Sequence, residues 1–599
     1  MAQLSFHTTH SESDEEVLLL LGITSILQFD FEEDAVIYFQ TDRNLEHLIN
    51  KFYWKTRPKA GQNPAAQNDT QLILSESGLE LLSRNGKEYI PKHLLKSELM
   101  SEAITISKAW VIARTIHEKS FSNAAPKKRI AFVYTNEVKE WISLLEANES
   151  LIARWYRQRD WETDLVLIDL TKGVQPDLVG KTAFTCDPVV IAKISPTTSQ
   201  FIKSLRSINP DIQLILHAFE SPSVYFVNTF LAGLNDYLYE TDLWLMSCKA
   251  DEKLAQESWI KIRTKVFPLK VPDTFLNTKV NTELKNVLYF GRISEQKNLH
   301  EAIVAVSLVA DKFREKNRKF KIFGYEDYLG MPHHRIPSQG YLEMLYKLAK
   351  DLKITDIVEF HPAVAQEKIN DYLQEGIFLS PSVHSDENFG LVAFRALNLG
   401  IPVILSDWGG HKDFVQSFSH VHFIPVSQNR IPHINPVQLA NKLLEVWDSK
   451  GPEKKPFKWE KVSLPEGKTR SLLKPGNLKI QIEKRVEDTH PWQQRRWPLY
   501  GRIFQSFNDP LYRLACKLYG AVEYKRPIPE KTFVSPFVKF SEGEIKILDC
   551  MTGVLRYPRI DNSPNIQLKQ LGNDSFVHVS LSEWEWLWEN GHVYSRGEL

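Results

Sequence analysis

Short, nearly continuous apolar runs alternate with helical patterns between Asn286 and Val415. The runs are Val287–Phe290, Phe320–Phe323, Ile357–Phe360, Ile377–Leu379 and Val403–Leu405. Each has the length and continuity of a strand buried on both faces of a parallel sheet. Between them, Leu299, Ile303, Val306, Ala310 and Phe313 keep a helical spacing. So do Leu345, Leu348 and Leu352, and then Phe389, Val392, Ala393, Ala396 and Leu397, ending at Gly400. The pattern predicts a doubly wound α/β domain, whose ligands bind beyond the carboxyl ends of the strands. A second alternation lies upstream, with expected strands at Ile130–Tyr134, Leu165–Leu170, Val189–Ile191, Ile212–Leu216 and Leu243–Met246.

The turns at the strand ends carry the chemistry. After the first strand of the downstream set, Gly291 permits a tight turn, and Arg292 and Lys297 can converge on one ligand, for which a diphosphate is the natural guest. After the fourth strand, Glu387 and the amides around Gly390 arrive at a helix start, where the positive end of the helix dipole favours an anion. Gly409-Gly410 follow the fifth strand as another close-approach turn. Read singly, Arg292 and Lys297 are ordinary surface cations and Glu387 an ordinary helix-start acid. The glycines and the strand before each give them a shared context.

These pieces, in this order, resemble the retaining nucleotide-sugar glycosyltransferases of family 4, which have the GT-B fold of two facing Rossmann-like domains. The resemblance rests on Tyr289-Phe290-Gly291-Arg292 with Lys297, Phe323-Gly324, Glu387 to Val392, Gly400-Ile401-Pro402-Val403 and Gly409-Gly410. It implies that Arg292 and Lys297 neutralise the donor diphosphate as it leaves, without a metal. It also implies that Glu387 lies against the donor sugar and phosphate, with Gly291, Phe389, Gly390 and Leu391 lining the donor site. Where the family has a second glutamate to accept hydrogen bonds from the ribose hydroxyls, this chain has Arg395, and a guanidinium has donors only. Arg395 is therefore read as an exposed helix residue or a phosphate contact, with a lean toward Glu387 as a further option. In the upstream set, His217 at the tip of the fourth strand is the candidate for positioning the acceptor or the transferred sugar, with a structural role as its alternative. The first turn, Thr135-Asn136-Glu137, lacks the family's frequent Gly-Gly, and Lys265–Leu269 resembles the crossing between domains.

Composition narrows the classes. A chain of 599 residues, 43% of them hydrophobic, exceeds one domain. The expected division is an N-terminal extension at 1–126, an acceptor domain at 127–270, a donor-binding domain at 271–449, and a linker with a C-terminal extension at 450–599. Lys plus Arg and Asp plus Glu both number 74, so no global field draws nucleic acid. Cys186, Cys248, Cys516 and Cys550 are widely spaced, which suits a reducing cytoplasm and neither a disulfide framework nor a metal site. Val17–Leu27 is too short for a membrane span and lacks the basic lead of a signal peptide, so a buried helix or strand is expected there.

Outside the resemblance, Lys59–Thr70 is expected to be a loop and Ser97–His117 a helix. Residues 450–485 hold eleven basic and four acidic residues and read as a linker or exposed arm. The segment Trp492 to Phe504, basic and aromatic, suits either a helix packed back across the domains or peripheral contact with an anionic membrane face, where a lipid-linked acceptor would lie. Trp584, Trp586 and Trp588 are expected in a core. The expected activity is transfer of a sugar from a nucleotide diphosphate to a saccharide or lipid-linked acceptor with retention, in cell-surface glycan synthesis, with no cofactor beyond the donor. The alternatives are a GT-B nucleotide-sugar epimerase and a degenerate GT-B protein that binds a glycan or partner without turnover.

Overall fold

The computed structural model describes five N-terminal strands at 3–8, 36–39, 69–74, 78–83 and 86–91. Beyond them it describes residues 129–135, 165–192, 194–209, 211–218, 234, 237–267, 285–326, 340–365, 368–383, 387, 389–428, 432–447, 474–475, 510–523, 526–549, 553–559, 566–571 and 575–596. The expectations for Val17–Leu27, Ser97–His117, Asn136-Glu137, Cys550 and Trp492–Phe504 lie outside these residues, as does most of 450–485.

The α/β fold is of the GT-B type, with two Rossmann-like parallel sheets and additional N- and C-terminal regions. In the downstream sheet the strands lie in the order Val358–His361, Phe320–Phe323, Asn286–Phe290, Gly376–Ser380, Val403–Ser406 and Val421–Ile424, all parallel. Asn286–Phe290 and Gly376–Ser380 are adjacent although two other strands, Phe320–Phe323 and Val358–His361, lie between them in sequence. Successive connections leave that pair in opposite directions, so a crevice opens beyond their carboxyl ends. The helices Leu299–Leu308, Tyr341–Asp351 and Leu391–Asn398 fall on the expected periodic segments. Their apolar positions, from Leu299 to Val306 and again Ala393, Phe394, Ala396 and Leu397, are buried.

The upstream sheet runs Arg263–Val266, Leu243–Met246, Leu214–Ala218, Cys186–Ile191, Arg129–Tyr134 and Leu165–Asp169, again parallel. Two edge strands escape the apolar-run criterion. Arg263–Val266 is half-buried throughout, and its Arg-Thr-Lys-Val sequence has the polar character that an edge tolerates. It takes Lys265 and Val266 from the expected crossing segment. Val421–Ile424 is likewise mostly half-buried.

One apolar cluster joins the two sheets, with Phe132, Val190, Leu245 and Phe267 from the first and Leu288, Phe290, Phe378 and Leu405 from the second. The helix Pro510–Tyr519 packs against Lys249–Ser258 of the first domain, where the Tyr519 hydroxyl bonds Asp251. The same tyrosine ring lies 5.5 Å from Trp408 of the second domain, so one helix touches both.

The N-terminal strands form a separate sheet in the order Val36–Phe39, Gln3–Thr8, Asp69–Leu74, Gly78–Ser83 and Gly86–Pro91, which takes the last two residues of the expected Lys59–Thr70 loop. At the other end, Trp584, Trp586 and Trp588 sit on the helix Leu581–Glu589, started by a reciprocal Ser580 and Glu583 cap. Trp584 is fully buried, and its Nε1 donates to Thr532 Oγ1 at 3.3 Å, in keeping with a core role. This C-terminal region docks on the second domain through the Tyr594 hydroxyl, which donates to Glu301 at 2.6 Å. Among the described residues no helix is long and apolar enough to cross a membrane.

Candidate active site

The crevice between Asn286–Phe290 and Gly376–Ser380 brings the main candidates together. Lys297 lies in a short 3₁₀ turn, Glu295–Lys297, that follows the Gly291-Arg292 turn, and Glu387 stands beyond the neighbouring strand. Lys297 Nζ donates to Glu387 Oε2 at 2.6 Å across 90 residues of sequence, with the side chains only 16% and 10% exposed. Burial alone would raise the Glu387 carboxyl. The Lys297 ammonium and the hydrogen bonds from Lys297 and Ser382 outweigh it and hold the carboxyl far below the usual carboxylate range.

Two loops are clamped to fix this pair. Val383 N donates to the Gln296 carbonyl at 3.1 Å, which ties the segment after the fourth strand to the residue beside Lys297. Gly410 N donates to the Glu387 carbonyl at 2.7 Å, which ties in the Gly409-Gly410 turn. Gly390 opens the helix Leu391–Asn398 at φ +72, a left-handed conformation that a side chain would strain.

A residue not singled out from the sequence completes the cluster. His411 is fully buried, with Nε2 3.7 Å from Glu387 Oε1 and Nδ1 3.3 Å from Ser406 Oγ. Burial pushes its imidazole below the ordinary histidine value, Glu387 acts in the opposite sense, and Lys297 adds to the lowering, so the ring is neutral at pH 7. His411 therefore counts as a cation toward Glu387 only when it gains a proton, and Lys297 is the counter-charge at neutral pH. Its position directly after Gly409-Gly410 was the available signal.

The other candidates take varied places. Arg292 is half-buried after Gly291, its carbonyl accepting from the Tyr289 hydroxyl at 2.7 Å. Phe389 packs its ring into the core, 5.0 Å from Phe394 and 5.6 Å from Phe414, and so anchors the loop that carries Glu387. Leu391 is half-buried at the first turn of its helix. Arg395 departs from the expected exposed helix position, because it is 3% exposed and its Nε donates to Asn370 Oδ1 at 2.5 Å. A buried guanidinium needs acceptors, and Asn370, on the short helix Ile369–Leu373, provides one. His217 is fully buried with Nε2 3.3 Å from the Phe267 carbonyl, where the chain leaves the first sheet.

The Glu387 environment makes a pH prediction. A carboxyl held low in the folded protein stabilises it above the unfolded carboxyl's range, and this contribution fades as pH falls. Glu387→Gln should therefore be less stable than wild type at pH 7, and the gap should narrow below about pH 4.3, where the unfolded carboxyl takes up its proton. Urea midpoints at pH 7 and pH 3.5 test this, and a gap that stays constant or widens in acid contradicts it.

Residues 273–454 match the family model of glycosyl transferases group 1. Among curated relatives, a D-inositol 3-phosphate glycosyltransferase of Streptomyces scabiei is 43% identical over 126 residues, covering 20% of this chain and 26% of the relative. One of the same description from Streptomyces griseus is 44% identical over 68 residues, 11% of this chain and 14% of the relative. The chain thus spans about a quarter or less of the curated relatives it matches. Among solved structures, a glycosyltransferase of Rickettsia africae has a TM-score of 0.39 at 14% identity, covering 54% of this chain and 88% of that one. Anabaena HepE, solved in complex with UDP-glucose, has a TM-score of 0.36 at 15% identity, covering 53% and 90%.

Proposed function

We propose that this protein is a retaining, metal-independent glycosyltransferase of the family 4 type. It moves a sugar from a nucleotide-diphosphate donor to a saccharide or lipid-linked acceptor in cell-surface glycan synthesis. The observation that carries the reading is the buried Lys297 and Glu387 pair at the switch point of the second sheet, beside Gly390 at a helix start. Cleavage of the bond between the anomeric carbon and the diphosphate builds negative charge on the leaving oxygen. Arg292 and Lys297 follow the same strand and would stabilise that charge, while Glu387 would face the donor sugar. His217 would act on the acceptor side. The protein would work in the cytoplasm, with peripheral contact to the membrane's inner face if the acceptor is lipid-linked.

The relatives' description adds a polyol phosphate to the acceptors worth testing. Incubation with a panel of nucleotide sugars and these acceptors, followed by NMR of the product anomer, tests the reading. A retained anomeric configuration is expected, and an inverted one contradicts it. Arg395 favours a second reading, a glycan-binding protein without turnover, because it replaces the glutamate of the resembling family and is held by Asn370. Nucleotide binding with no product from any donor would select that reading.

No Asp-x-Asp occurs between residues 271 and 449, and two cations already serve the proposed diphosphate site. Turnover should therefore persist in EDTA. Loss in EDTA with rescue by Mn²⁺ or Mg²⁺ would overturn metal independence.

A further inference from the structure

We propose, resting on the diphosphate reading above, that His411 is a positioning residue for Glu387. When a diphosphate draws Lys297 away, His411 Nε2 takes up a proton and becomes the donor that holds the carboxylate in place.

The hydrogen-bond pattern around the ring sets its tautomer. The Ser406 hydroxyl has one hydrogen, which it donates to the Ser382 carbonyl at 2.5 Å. Its oxygen, 3.3 Å from His411 Nδ1, is left to accept, and a bond to the Ser406 backbone acts in the same sense. The ring hydrogen therefore sits on Nδ1 and a lone pair on Nε2. Nε2 is buried, has no hydrogen-bond partner, and lies 3.7 Å from Glu387 Oε1. Two acceptors facing each other across that gap do not attract. A proton on Nε2 turns the same geometry into a charge-assisted contact.

The need for that proton arises from ligand binding. Lys297 carries a single ammonium, and a diphosphate concentrates more negative charge than one carboxylate. Once Lys297 turns to the ligand, Glu387 remains 8% exposed and without its principal counter-ion, a costly state for a buried charge. The His411 ring is well placed to respond because it is confined. A Cβ at Gly390 would lie 2.9 Å from both its Cδ2 and Nε2, and Phe414 stacks at 6.5 Å. Lys297 and Glu387 are the charged groups acting directly on the ring. On its own turn stand Lys412 and Asp413, the latter accepting from Lys249 N at 2.8 Å. On the helix opened by Gly390 the charged residue is Arg395, bound to Asn370. In the step itself, the Nε2 lone pair forms an N–H bond with a proton given up by a buffer acid, whose conjugate base stays in solution.

Calorimetric titration of the full chain with UDP at pH 7.5, in buffers of different ionisation enthalpy, reads this directly. Wild type should take up as much as about one proton more per UDP bound than His411→Gln, which retains an amide donor but cannot titrate. Comparing the two forms cancels any proton exchanged by UDP itself. In the wild-type protein alone, ¹⁵N-histidine spectra should show one imidazole nitrogen passing from the lone-pair range to the N–H range as UDP saturates, a measurement independent of how the variant folds. Equal proton uptake by two forms that both bind UDP, or histidine spectra unchanged at saturation, would overturn the role of His411. Where wild type does not bind UDP, the same titration is made with ADP, GDP, CDP and dTDP, and binding of none of them would overturn the diphosphate reading and this inference with it.

Discussion

Lys297→Ala should lower turnover by roughly 10²-fold or more, the scale expected when one preorganised electrostatic group is removed. It should also destabilise the fold by about 3 kcal/mol, because it strands the Glu387 carboxylate in a buried position. The two effects are separable. Adding Glu387→Gln to Lys297→Ala removes the stranded charge and should restore much of the stability, yet it cannot restore leaving-group stabilisation. Turnover at saturating donor, measured well below each variant's melting temperature, and urea midpoints for the single and double variants provide the check. Arg292→Ala should lower turnover on the same scale with a smaller stability cost, since its side chain is only half-buried. Near-normal turnover in both alanine variants would remove the diphosphate clamp from the mechanism.

Gly324→Ala should be among the most damaging single-methyl additions in the molecule. A Cβ built at Gly324 would lie 1.9 Å from the Gly291 carbonyl oxygen and 3.1 Å from its carbon, well inside any van der Waals separation. The obstacle is backbone, so no rotamer change relieves it. Gly291 N is also tied to the Phe323 carbonyl at 3.1 Å, and Gly324 N to the His361 carbonyl at 3.2 Å, so moving either turn breaks bonds across adjacent strands. A cost of about 3 kcal/mol or more is expected, together with weakened nucleotide binding through displacement of the Gly291-Arg292 turn. Thermal melting with and without UDP measures both. Gly543→Ala is a suitable control, because nothing lies within 4 Å of the added carbon there. A Gly324→Ala protein that melts like wild type would refute the close-packing account of this glycine.

Much of the second domain was legible from apolar runs alone. Strands buried on both faces select apolar residues at both parities, so Val287–Phe290 and Val403–Leu405 stand out without any alignment, and Phe320–Phe323 is interrupted only by the half-buried Lys321, which pairs with Glu375. The edge strands Arg263–Val266 and Val421–Ile424 did not stand out, because an edge is covered less completely and selects less strongly for apolar residues. Arg395 was misjudged for a related reason. A charged residue in a helix is exposed by default, and the arrival of Asn370 from a separate short helix supplies an acceptor for the buried guanidinium that the local pattern does not announce. Phe389 was read beside the donor-site glycines, whereas its ring serves the core with Phe394 and Phe414.

By itself the sequence determined the α/β class, most strands of both domains, three helical segments of the second, and which turns carry Arg292, Lys297, Glu387 and the glycines. These follow from local periodicity and from the backbone freedom of single residues, properties that a short window contains. Only the tertiary structure decided that Lys297 meets Glu387, that His411 stands behind that carboxylate with Ser406, and that Arg395 turns to Asn370. Those contacts join side chains 90, 24, 5 and 25 residues apart. Most of them depend on strand order within the sheet, and the protonation state of each group depends on burial, neither of which a local pattern encodes.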